Sequence, residues 1–167
     1  GIVLWLHYRL ASASDRSRCW PWALMSGFFV YIGIDDATSI HERLGVILKA
    51  AFDDSLIEPL LVWFPSYAWQ LFLAPVFAVV GLLMAVFLWH ELTNNRRYWA
   101  IFAFSLLGLA IAIDFVEGLF LVELRGYFAN HALKLIEEML EMLAITVLLV
   151  VFLQELASRM RVYVQAL

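Results

Sequence analysis

Between Trp20 and Phe52 the chain is apolar except for Lys49 and one block, Ile34-Asp35-Asp36-Ala37-Thr38-Ser39-Ile40-His41-Glu42-Arg43. Taken together with its flanks, this stretch is long enough to cross a bilayer as one helix, which rises ~1.5 Å per residue through a core ~30 Å thick. A charge at that depth costs ~2.5–3.5 kcal/mol on insertion scales, so this block needs partners inside a bundle. Two later apolar segments carry similar insertions, Asp114-x-x-Glu117 and Glu137-Glu138-x-x-Glu141.

The composition sets the class. Hydrophobic residues make up 64% of the 167, and mean hydropathy is +0.85. These values describe a polytopic membrane protein. The expected fold is an all-α transmembrane bundle, a single integral membrane domain over residues 1–167. Four spans are predicted at about 21–50, 66–92, 98–124 and 130–160. Gly1 to Leu6 read as the tail of a preceding helix that ends at His7-Tyr8-Arg9, so the chain is expected to be N-terminally incomplete. Residues 9–18 read as a polar loop, residues 53–66 as a loop with an interfacial apolar piece, and Thr93 to Arg97 as a tight loop. Pro75 falls inside the second span, where neighbouring helices tolerate a kink. The first span is expected to run unbroken through Asp35–Arg43, because that stretch holds no Pro or Gly. Thr38 and Ser39 can return their hydroxyls to preceding carbonyls there.

The basic residues orient the bundle. With alternating spans, Arg9, Arg16, Arg18, Arg96, Arg97, Arg159 and Arg161 fall on one side, and Lys49, Arg125 and Lys134 on the other. The positive-inside rule puts the arginine-rich loops and the C-terminus in the cytoplasm, and a bacterial inner membrane is the expected location. Trp20, Trp22, Trp63, Trp69, Trp89 and Trp99 lie near predicted helix ends, as aromatic belts require. His90 and Glu91 read as a plain interfacial end of the second span. Cys19 is the one cysteine and forms no internal disulfide.

The three acidic blocks reach one level. Asp35 lies ~21 Å and Asp114 ~24 Å from the cytoplasmic end, while Glu138 and Glu141 lie ~10 and ~15 Å below the outer end. All fall in the outer half of a core ~30 Å thick. At ~100° per residue, Asp35, Thr38, His41 and Glu42 share one arc, with Asp36 off it. Asp114 and Glu117 are one i, i+3 pair, and Glu138 and Glu141 another, with Lys134 one turn before. The first, third and fourth spans are therefore expected to be mutual neighbours.

The cluster gathers Asp35, Asp36, Glu42, Asp114, Glu117, Glu137, Glu138 and Glu141 against Arg43 and Lys134. Such an excess takes up protons or binds cations. Carboxylate pairs one turn apart are what bundle metal sites use. His41, Glu42, Glu117, Glu138 and Glu141 are the candidate metal ligands. Asp35, Asp36, Asp114, Glu137, Lys134 and His131 are bridging or outer-sphere candidates, with Asp35 or Asp114 orienting His41. Lys134 is expected to pair with Glu138 at i, i+4. Mixed oxygen and nitrogen donors favour iron, manganese or zinc. Haem held by His41 and His131 is the lesser alternative, since the two differ in depth by one to two turns.

At Asp35-Asp36-x4-His41-Glu42 and Glu137-Glu138-x2-Glu141-Met142 the sequence resembles a group of uncharacterised bacterial multi-pass membrane proteins. Their pattern is Leu-Asp-Glu-x4-His-Glu in one helix and Glu-Glu-x2-Glu in a later one. Ile34 and Asp36 replace its Leu and Glu with similar chemistry. The resemblance spans the four predicted helices and implies a shared polar site.

Two functions fit. One is a membrane-embedded metal site, redox or hydrolytic. The other is an accessory subunit of a larger bioenergetic membrane complex, its acids forming a structural or proton-relay network. Lipid, other membrane subunits and pigments are the partners this surface suits. No basic patch with interleaved aromatics supports nucleic-acid binding. No nucleophile elbow, phosphate loop or dinucleotide fingerprint names a reaction, so enzyme activity and catalytic residues stay open.

Overall fold

In a computed structural model, residues 1–14, 19–51, 68–120 and 127–165 are described, and they are all-helical. The elements are α1 (Ile2–Ser14), α2 (Cys19–Thr38), α3 (Ile40–Ala51), α4 (Ala68–Glu91), α5 (Asn94–Phe120) and α6 (Tyr127–Gln165). No strand occurs among the described residues. The residues of the expected 53–66 loop, of Arg16 and Arg18, and of Arg125 lie outside those described.

Three boundaries differ from the sequence reading, each for a local reason. First, α1 continues through Ser14, where a polar loop was expected. Leu4, His7 and Ala11 are buried and fall on one helical stripe, so packing holds this segment helical beyond its apolar part. Second, Asn94 to Arg97 form the first turn of α5 rather than a loop. The Thr93 carbonyl accepts from the amides of Arg96 and Arg97 at 2.9 and 3.4 Å, and Thr is a favoured residue at that helix-starting position. The Arg97 Nε–H donates to the Leu92 carbonyl at 2.7 Å, closing the end of α4.

Third, the expected unbroken 21–50 helix divides at Ser39, whose φ of 51° is left-handed. The Ser39 amide still donates to the Asp35 carbonyl at 2.7 Å, the 5→1 bond of a left-handed helix cap. The Arg43 amide takes the Ser39 carbonyl at 3.2 Å and opens α3. Thr38 Oγ1 donates to the Ile34 carbonyl at 2.6 Å, as its sequence position suggested. Such back-bonding bends helices, and here the chain breaks one residue later. Left-handed backbone costs a non-glycine residue about 1–2 kcal/mol. That cost falls inside the charged block.

The helices pack by stripes. On α6 the buried residues are Glu137, Ala144, Leu148, Val151, Phe152, Glu155 and Leu156, a repeat of three and four. On α5 they are Ala100, Ala103, Ala110 and Asp114. Three alanines let α6 approach closely, as small residues do in membrane helix pairs, and α5–α6 is the most extensive pairing among the described elements. The third and fourth predicted spans thus meet as expected, but the first makes no extensive pairing with either, so the three are not mutual neighbours among the described elements. α2 packs most extensively on α1 instead, touches α3 and α4, and reaches α6 through Trp22 and Phe29 against Phe152.

Trp22 is fully buried, the centre of the core rather than part of an aromatic belt. Phe87 and Phe152 meet its ring edge-on, with centroids at 5.3 and 6.3 Å. Trp20, Trp89 and Trp99 are exposed near helix ends.

The outer surface is apolar along its length. Val79, Leu82, Leu83, Leu109, Ile111, Leu143 and Leu149 are all about half exposed or more. Phe72–Glu91 (20 residues, mean hydropathy 2.5) and Asn95–Phe115 (21 residues, mean hydropathy 1.9) are long and apolar enough to cross a membrane. The described structure therefore supports two of the four expected crossings by length and composition. α2 stops at Thr38 with Asp35 and Asp36 in its last turn, and α6 carries Lys134, Glu137, Glu138 and Glu141 near its start.

Candidate functional site

The ionic end of the α5–α6 seam fixes the register of the pair. Arg96, in the first turn of α5, pairs with Glu155 on α6. Counting seven residues along α5 and seven back along α6 from this pair reaches Ala103 and Leu148, both fully buried. Counting eighteen along each reaches Asp114 and Glu137. Both are buried, at 9% and 5% exposure, about 27 Å from the Arg96–Glu155 pair. Two carboxylates thus occupy one level of one seam. Ala110 and Glu141 fall at the level one turn nearer the middle, with Glu141 partly buried.

Glu137, not Glu138, is the inward residue. It is seven residues before Ala144 and so lies on the packed stripe of α6; Glu138 is rotated about 100° away and is exposed. Lys134 pairs with Glu137. Its Nζ donates to Oε1 and Oε2 at 3.0 and 3.1 Å, an i, i+3 pair in place of the expected i, i+4 pair with Glu138. On α2, Asp35 is 5% exposed and lies on the inner side, four residues before the Ser39 break. His131 is exposed near the start of α6.

The side chains of Asp36, His41, Glu42 and Glu117 lie outside the described residues. Among the described residues no three of His, Cys, Asp and Glu converge as a metal site. Asp35, Asp114 and Glu137 are the expected acids that the structure buries, and they come from three helices.

The opposite, basic end holds a second constellation that sequence reasoning missed. Glu155 receives Arg96 and Arg159, the latter from Nε at 2.9 Å. Arg159 Nη2 also reaches Glu91 Oε1 at 2.7 Å, so Glu91 is an ion-pair partner rather than a plain interfacial end. The Arg159 guanidinium lies 5.2 Å over the Trp22 ring, within cation–π range. His7 of α1 stacks on Trp22, with centroids 4.3 Å apart and planes 13° from parallel. Its Nε2 is 2.9 Å from the Phe152 carbonyl, which makes Nε2–H the donor. His7 lies outside both apolar crossing segments. Burial pushes its pKa below the ordinary histidine value; the Phe152 carbonyl opposes this, Arg159 adds to it, and Glu155 and Glu91 oppose it. Five helices close on this node. The signal in the sequence was Glu155 itself, a charge on the apolar stripe of α6 with Arg159 one turn later.

Residues 1–156 match the family described as Domain of unknown function (DUF8692). Neither a curated protein nor a solved structure matches the chain. The match covers nearly the whole sequence, the three acid-bearing helices included, and the chain belongs to the DUF8692 family.

Proposed function

We propose that this chain is an integral membrane helical bundle that holds one or more metal ions between α5, α6 and the α2–α3 break, in the outer half of the membrane. Four crossings make the bundle: α2 continued by α3, then α4, α5 and α6. The basic end formed by Arg96, Arg97 and Arg159 faces the cytoplasm of a bacterial cell.

The supporting observation is the coincidence of Asp114 and Glu137, both buried, at one level of the α5–α6 seam. One ammonium, Lys134, sits on Glu137. Asp35, buried on α2, adds a third carboxylate. An acid excess in a low dielectric takes a cation. Asp114 and Glu137 join His41, Glu42, Glu117 and Glu141 as the donor set, and such oxygen and nitrogen donors suit iron, manganese or zinc. Glu138, on the exposed face, is no longer among the proposed ligands.

A second reading rests on the Lys134 contact, which engages both Glu137 oxygens. In it the acids form a proton-sharing network of an accessory subunit in a larger membrane complex, and the exposed Glu138 face meets a neighbouring subunit. Paired substitutions test the first reading. Glu137→Gln should cut bound metal at least tenfold, while Glu138→Gln should leave it near the wild-type level, with metal counted by mass spectrometry after purification. Equal retention in both variants would remove Glu137 from the ligand set.

A further inference from the structure

The node at the basic end contains a group that its salt bridges do not require. His7 is fully buried, and its Nδ1 has no hydrogen-bond partner among the described residues. Nε2–H is already used on the Phe152 carbonyl at 2.9 Å. The ring joins α1 to α6 by that bond and to α2 by the Trp22 stack.

We propose that His7 is a protonation latch: neutral, it pins α1 against α2 and α6 at the basic end of the bundle, and protonated, it releases α1.

The charges around it give the reason. α6 supplies Arg159 and Glu155, α4 supplies Glu91, and α5 supplies Arg96 through Glu155. α2 supplies the Trp22 indole and the buried thiol of Cys19 one turn earlier, and α1 itself the exposed Arg9. Two guanidiniums already match two carboxylates. A proton on Nδ1 adds a third cation to this set and creates a buried N–H with no acceptor, and both are costly. An undocked ring in water carries the same proton without either cost.

The direction with pH follows. The released state binds the proton more readily than the docked state, so docking strengthens as pH rises. It is complete above about 6.5, the ordinary histidine value, and is lost progressively below it.

Cys19 provides the readout, because it is the one cysteine of the chain and is buried in the same apolar cluster as Leu4 and Ala11 of α1. In the intact chain in detergent, maleimide labelling of Cys19 is measured from about pH 7.5 to about pH 5.5. Each rate is divided by that of the unfolded chain at the same pH, which removes the intrinsic thiol titration. The normalised wild-type rate should rise on acidification, by up to about tenfold between pH 7.5 and pH 5.5. His7→Gln keeps an N–H for the Phe152 carbonyl, and His7→Phe keeps the stack on Trp22; both should give flat profiles. Circular dichroism confirms that the variants are helical. A flat wild-type profile would overturn the latch, and so would a rise of equal size in both variants, which would place the titrating group elsewhere.

Discussion

Glu155→Ala should lower the stability of the bundle by about 3–5 kcal/mol, the range for removing one partner from a buried ion pair. Glu155 is 5% exposed and receives both Arg96 and Arg159. Without it, two guanidiniums face one another across the α5–α6 seam, and among the described residues only Arg159 keeps an acid, Glu91. Glu155→Gln keeps the shape and loses the charge, so it should retain part of the packing but still destabilise. A surface ion pair would contribute under about 1 kcal/mol, which makes the size of the loss diagnostic of burial. Thermal denaturation in detergent, read by circular dichroism, gives the difference. A shift indistinguishable from zero would show that this end of α6 is solvated.

Trp22→Ala should cost a similar amount, about 3–5 kcal/mol, through a different mechanism. The indole is the largest fully buried side chain among the described residues, and His7, Phe87, Phe152 and Arg159 all lie against it. Removing it opens a cavity where α1, α2, α4 and α6 converge. Trp22→Phe separates volume from polarity. The Trp22 Nε1–H has no hydrogen-bond partner among the described residues, so its loss breaks no bond. The Phe variant should therefore cost well under half of the Ala variant, again by thermal denaturation. If the two variants were equally damaging, the indole nitrogen would have a bonding role that the packing does not reveal.

The parts of this architecture that were legible in the sequence are those set by hydropathy over many residues. α4, α5 and α6 begin and end within about five residues of the expected spans, because apolar runs of that length fix a helix by themselves. The features that escaped are set by one or two groups. Ser39 carries no breaker signal, and Thr38 was expected to keep the helix intact by the same hydroxyl bond that accompanies the break. Glu137 and Glu138 differ only in phase. Aligning α6 on its own polar residues favoured Glu138, whereas aligning on Ala144 and Leu148 selects Glu137. Glu155 and Arg96 are separated by 59 positions, and only the fold of α5 onto α6 joins them. The helical extension of α1 to Ser14 likewise depends on Ala11 packing into the core, a tertiary contact that outweighs the polarity of the stretch.

The node and the acid level also bear on each other. The ion pairs at the basic end hold the register of α5 against α6, and that register sets Asp114 level with Glu137. A variant that shifts the pair by one residue would turn one of these acids out of the seam. Stability at one end and the geometry of the acids at the other are thus linked through about 27 Å of two paired helices.

The most direct test is the metal content of the wild-type chain, purified in detergent near neutral pH without added metal and measured by inductively coupled plasma mass spectrometry. A metal-binding cluster at Asp114 and Glu137 should yield iron, manganese or zinc at one or more ions per chain, and a chelator should remove the metal and lower the melting temperature together. A metal-free chain with the same melting temperature before and after chelation would contradict the metal site and leave the acids as a proton-sharing network.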